Sequence, residues 1–261
     1  MCGRYAATKD PATIAREFDA VDESVGECAP SYNVAPGKPV PVVVRRHLRS
    51  ADGEVLTDRE PTTRVRAMTW GLVPFWAKDR GIGHRMINTR AETASTKPAF
   101  RKALARRRCL LPADGWFEWQ RLTARGRTIK QPYYMTPADG EGLAFAGIWE
   151  TWRDPELPDT AAPLVTCSVL TTAAADSLSE IHDRMPLVLP RQSWDAWLDP
   201  DRPDVAELLA PPPASLAAAL EVRPVSTRVN NVANDGPELI QRAEQASDDR
   251  QPSLFDDEGN P

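Results

Sequence analysis

The chain has 261 residues and a formal net charge of −5, with 41% hydrophobic and 26% charged residues, which is typical of a soluble globular protein. No apolar stretch approaches the roughly 18–20 residues that cross a bilayer, and the N-terminus is polar, so we expect neither a membrane span nor a secretory leader. The four cysteines are far apart without a CxxC pair, which disfavours a zinc site or disulfide framework and favours a reducing cytoplasm.

Charge is distributed unevenly along the chain. Residues 201–261 hold 12 acidic and 5 basic residues, whereas residues 85–130 hold 12 basic and 3 acidic residues. A local basic excess suits a phosphate backbone, although the run Arg106-Arg107-Arg108 by itself is also typical of a solvated helix face. Nucleic acid is therefore one interpretation of the basic segment.

The predicted elements follow no regular alternation along the chain. Alternation and β-branched or aromatic content predict strands over 40–46, 66–70, 108–111, 115–120, 132–136, 143–150, 164–171 and 222–226. Helices are predicted over 11–18, where Asp10 is the N-cap and Pro11 the first helical residue, and over 98–107, 173–180, 191–198, 203–209, 214–220 and 237–244. Residues 47–64 are polar and contain Asp52-Gly53, which indicates a loop or irregular hairpin.

Many strands with inserted helices, and no repeating βαβ unit, predict an α+β fold. We expect one domain over residues 1–245 with a mostly antiparallel, β-rich core and flanking helices. Residues 246–261 are polar and acidic, which is typical of a disordered tail.

The start of the chain carries a reactive pair of groups. It begins Met1-Cys2-Gly3, and initiator methionine is removed when the second residue is small. Cys2 would then carry an α-amine and a thiol on neighbouring carbons. Such a 1,2-aminothiol condenses with an aldehyde to a Schiff base and closes to a thiazolidine ring. Reference pKa values of about 7.7–8.0 and about 8.5 leave both groups partly nucleophilic near neutral pH.

Three other segments carry side chains suited to acid/base work or anion binding. Glu118 shares a strand face with Trp116, and desolvation would raise its pKa, although a surface glutamate between core aromatics fits the same pattern. His182 is either a proton shuttle or a structural or surface histidine. Asn88 and Arg90 alternate on an extended segment, so both side chains can point into one cleft.

Eight motifs in fixed order resemble the SRAP (SOS-response-associated peptidase) family. They are MCGRY, YNVAPG, WGLVPFW, NTRAET, DGWFEW, VLTTAAAD, IHDRMPLVL and PVSTRVN, from residue 1 to about residue 242. The resemblance implies a mixed α/β fold with a β-rich core and a positively charged cleft for single-stranded DNA. It also implies that the protein protects abasic sites by a covalent DNA–protein crosslink. The chemistry requires no metal or organic cofactor.

The resemblance also implies roles for individual residues. Cys2 is the crosslinking residue, and Asn88 holds this cysteine and the intermediate. Glu118 is the acid/base that helps to open the deoxyribose and form the Schiff base, while His182 donates the proton for ring opening. The implied DNA contacts are Arg4, Arg90 and Arg184 at phosphates, Pro36, Phe75 and Trp76 at bases, and Thr172 in the VLTTAAAD motif.

The resemblance places the protein in the cytoplasm in association with the nucleoid. Because one domain with one cleft needs no partner subunit, we expect a monomer that binds no membrane. The acidic tail contains Gln251, Leu254 and Phe255 in the order QPSLF, which resembles the QxxLF peptide that docks bacterial sliding clamps. A simple unstructured tail, or one whose Phe255 folds back on the domain, remains an alternative interpretation.

Three other functions use the same residues. Class II glutamine amidotransferases also expose Cys2 after an MCG start, with the thiol as nucleophile and the α-amine as base, and glutaminase activity would reveal one. Proteolysis, including self-processing of Met1, is a second alternative. A non-covalent reader of modified or single-stranded DNA is the third, and a Cys2→Ala variant would keep its function.

Overall fold

The computed structural model describes residues 2–50, 52–124 and 127–244. In these residues the strands are β1 (Tyr5–Ala7), β2 (Val21–Asp22), β3 (Ser31–Val34), β4 (Pro39–Arg46), β5 (Thr62–Trp70), β6 (Asn88–Arg90), β7 (Arg108–Ala113), β8 (Gly115–Ala124), β9 (Arg127–Pro137), β10 (Leu143–Trp152), β11 (Leu164–Ala173), β12 (Arg184–Pro186) and β13 (Leu220–Pro224). The α-helices are α1 (Pro11–Glu17), α2 (Ala91–Ala94), α3 (Arg101–Arg106), α4 (Trp194–Leu198) and α5 (Ala214–Ala218). Single 3-10 turns cover Arg80–Arg85, Asp176–Glu180, Arg191–Ser193, Ala206–Leu209, Thr227–Asn230 and Pro237–Ile240.

Five strands form a sheet that closes on itself. Strands β11, β10, β7, β4 and β5 pair antiparallel in this order. The ring closes where β5 pairs with β11 in parallel, with Thr69 opposite Thr166 and Trp70 opposite Cys167. Strands β12 and β6 extend from β11, and β2 extends from β5. Val42, Val44 and Met68 from this sheet join one buried apolar cluster.

A second, antiparallel sheet packs against this closed sheet. Its strand order is β13-β9-β8-β1-β3. The Tyr5 ring meets the Trp70 ring edge-on at 5.2 Å between centroids and the Phe145 ring at 5.9 Å, and Trp116 packs against Phe145 at 6.2 Å. Edge-to-face aromatic packing of this kind adds to the free energy of burial. One apolar cluster therefore joins both sheets and fixes the start of the chain between them.

The outer face of the closed sheet is covered by helices. Ile14 of α1, Leu104 of α3 and Trp197 of α4 pack with Val65 and Leu110 in a second cluster. The remaining face of the five-stranded sheet is covered by the 3-10 turns near the end of the described chain. Among the described residues, no helix is long and apolar enough to cross a membrane.

The three arginines of the run Arg106-Arg107-Arg108, for which the sequence also allowed a solvated helix face, have different surroundings. Arg106 is exposed on α3, whereas Arg107 donates to the carboxylate of Glu150 at 2.6 Å. Arg108 is buried, and its guanidinium donates to backbone carbonyls at the ends of α3 and α4, including Leu104 O at 2.9 Å. Those carbonyls have no partner within the helices, so Arg108 is a structural cap.

The α+β fold class with a mostly antiparallel core is confirmed. The helix at residue 11 begins as predicted, because the Asp10 carboxylate accepts the Thr13 N–H at 2.8 Å. The loop prediction for 47–64 is wrong at its end, since β5 begins at Thr62. The helices predicted over 173–180, 203–209 and 237–244 are wrong, because each contains only a 3-10 turn of four or five residues. Strands β1, β3 and β12 lack a sequence signal because they have only three or four residues.

Candidate active site at the junction of the two sheets

Strand pairing carries Cys2 to the junction of the two sheets. In the antiparallel pair of β1 and β8, Tyr5 lies opposite Trp116, and the Phe117 N–H donates to the Arg4 carbonyl at 3.0 Å. Continuing this register by two residues from the pair of Tyr5 and Trp116 brings Glu118 level with Gly3, next to Cys2. The Cys2 side chain is fully buried, with its Sγ 4.0 Å from the carbonyl oxygen of Arg4.

Asn88 connects Cys2 to the closed sheet. Its Nδ2 donates to the Cys2 carbonyl at 2.7 Å. The next residue, Thr89, is buried on the opposite face of β6, where its hydroxyl and that of Ser168 are 2.9 Å apart. The buried Oδ1 of Asn88 accepts no hydrogen bond from the described residues. Asn88 therefore positions Cys2 and keeps an acceptor for a further donor at the site.

The carboxyl of Glu118 is the buried acid of this site. Glu118 is 2% exposed, and burial raises its pKa to about 7. Burial also raises the pKa of the Cys2 thiol, and the neighbouring Glu118 carboxylate raises it further. Near neutral pH, Glu118 is thus present in both protonation states, while the Cys2 thiol keeps its proton.

His182 lies in the loop between the 3-10 turn Asp176–Glu180 and β12. Its Nδ1 accepts the backbone N–H of Arg184 at 2.9 Å and lies 3.0 Å from a carboxylate oxygen of Asp183. Burial lowers the pKa of the imidazole, so the neutral ring is favoured at pH 7. Nδ1 also lies 3.2 Å from the Arg184 carbonyl oxygen, so its contacts fit either tautomer of the neutral ring.

Glu118 and His182 line the same cleft, which has a volume of about 660 Å³. The cleft also contains the basic side chains Arg121 and Lys130, together with Asn230. A carboxyl with a pKa of about 7 and a neutral imidazole can together take and give protons in one reaction. Asn88 thus contacts Cys2, Glu118 lies beside Cys2, and Glu118 shares a cleft with His182, while the catalytic roles of these four residues stay predictions.

Arg4, a predicted phosphate contact, is held by the side-chain amide of Asn33, a residue that the sequence analysis did not identify. Arg4 Nη1 donates to Asn33 Oδ1 at 2.7 Å and to the Val229 carbonyl at 2.8 Å. The buried Asn33 also donates from Nδ2 to the Asn231 and Asn234 carbonyls, at 3.1 and 2.8 Å. A polar residue inside the YNVAPG motif was the signal available for this role, since a buried amide must satisfy its hydrogen bonds.

The predicted phosphate contact Arg184 is already paired. Its two terminal nitrogens donate to the carboxylate oxygens of Glu92 at 2.6 and 2.9 Å, and one also donates to the Thr171 carbonyl at 2.6 Å. The sequence analysis missed Glu92, although it lies in the NTRAET motif. Arg90, in contrast, is exposed and has no ion pair within the described part of the chain. Of these two arginines, Arg90 is the more accessible to an anion.

The predicted base contacts differ in accessibility. Phe75 and Trp76 are 54% and 50% exposed, and the ammonium of Lys102 lies 5.1 Å from the centroid of the Phe75 ring. Pro36 is half-buried, whereas Thr172 on β11 is only 1% exposed. The exposed aromatics offer stacking surfaces. The contact of Thr172 with DNA stays a prediction, as do the roles of Gln251, Leu254 and Phe255, which lie outside the described residues.

No group of three or more His, Cys, Asp or Glu side chains is placed to bind a metal ion within residues 2–50, 52–124 and 127–244. The fold and the site define a protein that holds Cys2 between a buried carboxyl and an amide where two sheets meet. The family model of the SOS response associated peptidase (SRAP) matches residues 1–232. The chain belongs to this family, and the resemblance stated from the eight motifs is confirmed.

Individual relatives are similar over most of their length. The chain is 38% identical to the abasic site processing protein YoqW of Bacillus subtilis over 243 residues, covering 92% of this chain and 99% of the relative. It is 31% identical to the abasic site processing protein YedK of Escherichia coli, covering 92% and 99% of the two chains. A crystal structure of a Bacteroides thetaiotaomicron protein superposes with a TM-score of 0.74 at 25% identity, covering 93% of this chain and 100% of that one.

Proposed function

We propose that this protein crosslinks itself to abasic sites in single-stranded DNA through Cys2 and thereby shields them from strand cleavage. The observation that carries the proposal is the hydrogen bond from Asn88 to the Cys2 carbonyl, which fixes the cysteine next to the buried carboxyl of Glu118. Relatives at 31–38% identity that share nearly the whole chain are named abasic site processing proteins, which supports the same substrate class.

The first step is the opening of the sugar ring. An abasic site equilibrates between a cyclic hemiacetal and a small fraction of open aldehyde, and only the aldehyde reacts with an amine. The Glu118 carboxylate removes the proton of the anomeric hydroxyl, while the imidazolium form of His182 donates a proton to the ring oxygen and becomes the neutral ring that burial favours. Both side chains line one cleft, as concerted proton transfer requires.

The second step forms two bonds to the former aldehyde carbon. After removal of Met1, the neutral α-amine of Cys2 adds to C1′ to give a carbinolamine. Glu118 returns the proton that it gained in ring opening to the carbinolamine hydroxyl, which leaves as water and gives an iminium ion and a Glu118 carboxylate. The Cys2 sulfur then adds to the same carbon, and its proton passes to the Glu118 carboxylate. The product is a thiazolidine with one C–N and one C–S bond. It lacks the iminium that drives β-elimination, so the DNA strand stays intact.

The environment of the thiol favours this order of events. Burial holds the pKa of Cys2 well above its usual range, so the sulfur stays protonated until a strong electrophile forms. The amine therefore reacts first and the thiol second. The Asn88 Oδ1, which accepts nothing from the described residues, would accept a hydrogen bond from the Cys2 nitrogen during both steps.

Removal of Met1 is part of the proposal. Either a methionine aminopeptidase or the site itself can perform it, because Glu118 and the Cys2 thiol are next to the bond between residues 1 and 2. Purification of the Cys2→Ala variant and determination of its N-terminus by mass spectrometry separates these routes. Retention of Met1 by this variant alone, as opposed to the unmodified chain, indicates self-processing.

The test of the function is a denaturing gel of the purified protein with a single-stranded oligonucleotide that carries one abasic site. We expect a heat-stable band of slower mobility with the abasic strand and none with an undamaged strand. A variant with one extra residue before Cys2 blocks the α-amine and should give no band. Equal yields from the extended and the native N-terminus would overturn the aminothiol mechanism.

The competing functions predict other outcomes of the same experiment. A non-covalent reader shifts the strand on a native gel, with no denaturation-resistant band and no dependence on Cys2. A class II amidotransferase-like protein releases ammonia from glutamine and ignores the abasic site. If the N-terminus is verified as Cys2 and no crosslink appears, one of these two functions replaces the proposal.

For the tail, we propose docking to a bacterial sliding clamp. Leu254 and Phe255 would fill an apolar pocket, and Gln251 would anchor the peptide by hydrogen bonds. Deletion of residues 250–261, or the double substitution Leu254→Ala and Phe255→Ala, should abolish pull-down by the clamp and leave crosslinking in vitro unchanged. Ser253→Ala, at a position that the motif leaves open, is the matched control. Clamp pull-down that survives the double substitution would contradict this proposal.

A further inference from the structure

Five arginines gather at the end of the closed sheet that is farther from Cys2. The antiparallel register of β4 and β5 pairs Val44 with Arg64 and Val42 with Arg66, so these arginines share the face of the inner valines. Arg46 follows two residues later on the same face of β4. Arg107 precedes β7, and Arg49 lies in the loop after β4. We call Arg46, Arg49, Arg64, Arg66 and Arg107 the arginine cluster.

The arginine cluster has fewer counter-charges than cations. Arg64 pairs with Glu23 at 2.6 Å, and the guanidinium of Arg66 lies 3.9 Å from the same carboxylate. Arg107 pairs with Glu150 at 2.6 Å. Arg46 and Arg49 form no ion pair with any described residue. Two carboxylates thus face five guanidinium groups, and the cluster keeps an excess of positive charge.

Arg46 is held in place despite this repulsion. Its guanidinium lies 4.9 Å from the centroid of the Trp149 ring, a cation–π contact that fixes the side chain without neutralising it. Burial lowers the pKa of Arg46, and the charges of Arg49, Arg66, Arg107 and Arg64 lower it further. An anion bound at the cluster would relieve this mutual repulsion. Guanidinium groups also match phosphate oxygens geometrically.

The position of the arginine cluster relative to Cys2 indicates the size of the anion. Trp70 lies six residues after Arg64 on β5, about 20 Å along an extended strand. The Trp70 indole donates to the Ile87 carbonyl at 2.9 Å, next to Asn88, so Trp70 marks the Cys2 end of the sheet. A strand of about six stacked nucleotides, at about 3.4 Å each, covers this distance.

We propose that the arginine cluster is a second binding site for phosphate groups, which holds the DNA backbone of the same strand several nucleotides away from the crosslinked lesion. The choice of DNA as the polyanion rests on the proposed function. The cluster would add affinity that is independent of sequence and of damage, and would hold the protein on single-stranded DNA before the slow covalent step. A free phosphate has the same chemistry, so the test must separate the two sources.

The test compares two abasic oligonucleotides. The short one, of about 6 nucleotides, lies within the usual range of single-strand site sizes, and the long one, of about 24 nucleotides, exceeds it. The variant is Arg46→Gln combined with Arg49→Gln, the two members without an ion pair. On the long strand we expect a Kd on the order of tenfold weaker at low salt, and a log–log salt dependence shallower by roughly 1.4. On the short strand, Kd and crosslink yield should not change.

The matched control is Arg45→Gln, one position away on the opposite face of β4, where Arg45 pairs with Asp195. This control changes the net charge by one unit without altering the arginine cluster. Arg49→Gln alone is a second test variant, and it leaves the core intact because Arg49 is exposed. The proposal is overturned if Arg49→Gln matches Arg45→Gln on the long strand, if short and long strands weaken alike, or if inorganic phosphate binds the cluster without competing with the long strand. Loss of crosslinking on both strands in the unmodified protein would instead overturn the proposed function.

Discussion

Replacement of Cys2 by alanine is expected to abolish the covalent complex while DNA binding persists. Alanine keeps an α-amine at the N-terminus but provides no sulfur, so any Schiff base it forms can hydrolyse or undergo β-elimination. The readout is the yield of the denaturation-resistant band together with a native-gel Kd. We expect the band to fall below detection and Kd to change less than about threefold, because the small buried side chain contributes little binding energy of its own.

The Cys2→Ser variant separates the two bonds of the crosslink. Its α-amine can still form the Schiff base, which borohydride traps as a stable secondary amine, whereas untreated samples should show increased strand cleavage. Cys28→Ser is the matched control, since it removes another buried free thiol, which forms no hydrogen bond with Asn88 among the described residues, and should leave the crosslink intact. A full yield of heat-stable crosslink from Cys2→Ala, without borohydride, would exclude the thiazolidine.

The second large effect is expected for Glu118→Gln. The amide has nearly the same shape but cannot take a proton, so the crosslinking rate should fall by about 10²–10⁴-fold, the usual contribution of a general acid/base. Single-turnover rates on an abasic strand measure this loss. Glu180→Gln, at the rim of the same cleft, is the matched control for the change in charge. A rate within about twofold of the unmodified protein would remove Glu118 from the mechanism.

The pH dependence gives a sharper signature of the same residue. Because the pKa of Glu118 is raised to about 7, its carboxylate becomes available only as the pH rises through neutrality. The crosslinking rate of the unmodified protein should therefore increase with pH around 7, and the Glu118→Gln variant should lose this inflection while keeping the later one that belongs to the α-amine. An unchanged profile in the variant would assign the inflection to another group.

As the pH rises through 7, the free energy of unfolding should fall while the crosslinking rate increases. Between its unfolded pKa near 4.5 and its folded pKa of about 7, Glu118 holds a proton in the folded chain that the unfolded chain has released. The free energy of unfolding therefore falls as the pH rises through this window, and the whole cost is present above pH 7. Glu118→Gln should thus increase the free energy of unfolding at pH 8 by about 2–3 kcal/mol, measurable by urea titration. A less stable variant would mean that the carboxylate is stabilised in the fold.

The local sequence identified the reactive side chains, but it did not identify the residues that hold the neighbouring arginines in place. Cys2, Asn88, Glu118 and His182 could be named because each lies in a short motif whose chemistry is recognisable. Asn33 and Glu92, which hold Arg4 and Arg184, could not be assigned, because their partners are distant in sequence and come together only when the sheets form. The arginine cluster depends in the same way on the register of β4 and β5.

The sequence by itself determined the family, the α+β class and the types of groups that can react, since alternation, turn residues and ordered motifs are local properties of the chain. The tertiary structure decided which of these groups meet. Closure of five strands into one sheet through a single parallel pairing, and the packing of the second sheet against it, are long-range contacts that no local pattern encodes. The raised pKa of Glu118 also arises there, because desolvation depends on everything that surrounds a side chain and not on its neighbours in sequence.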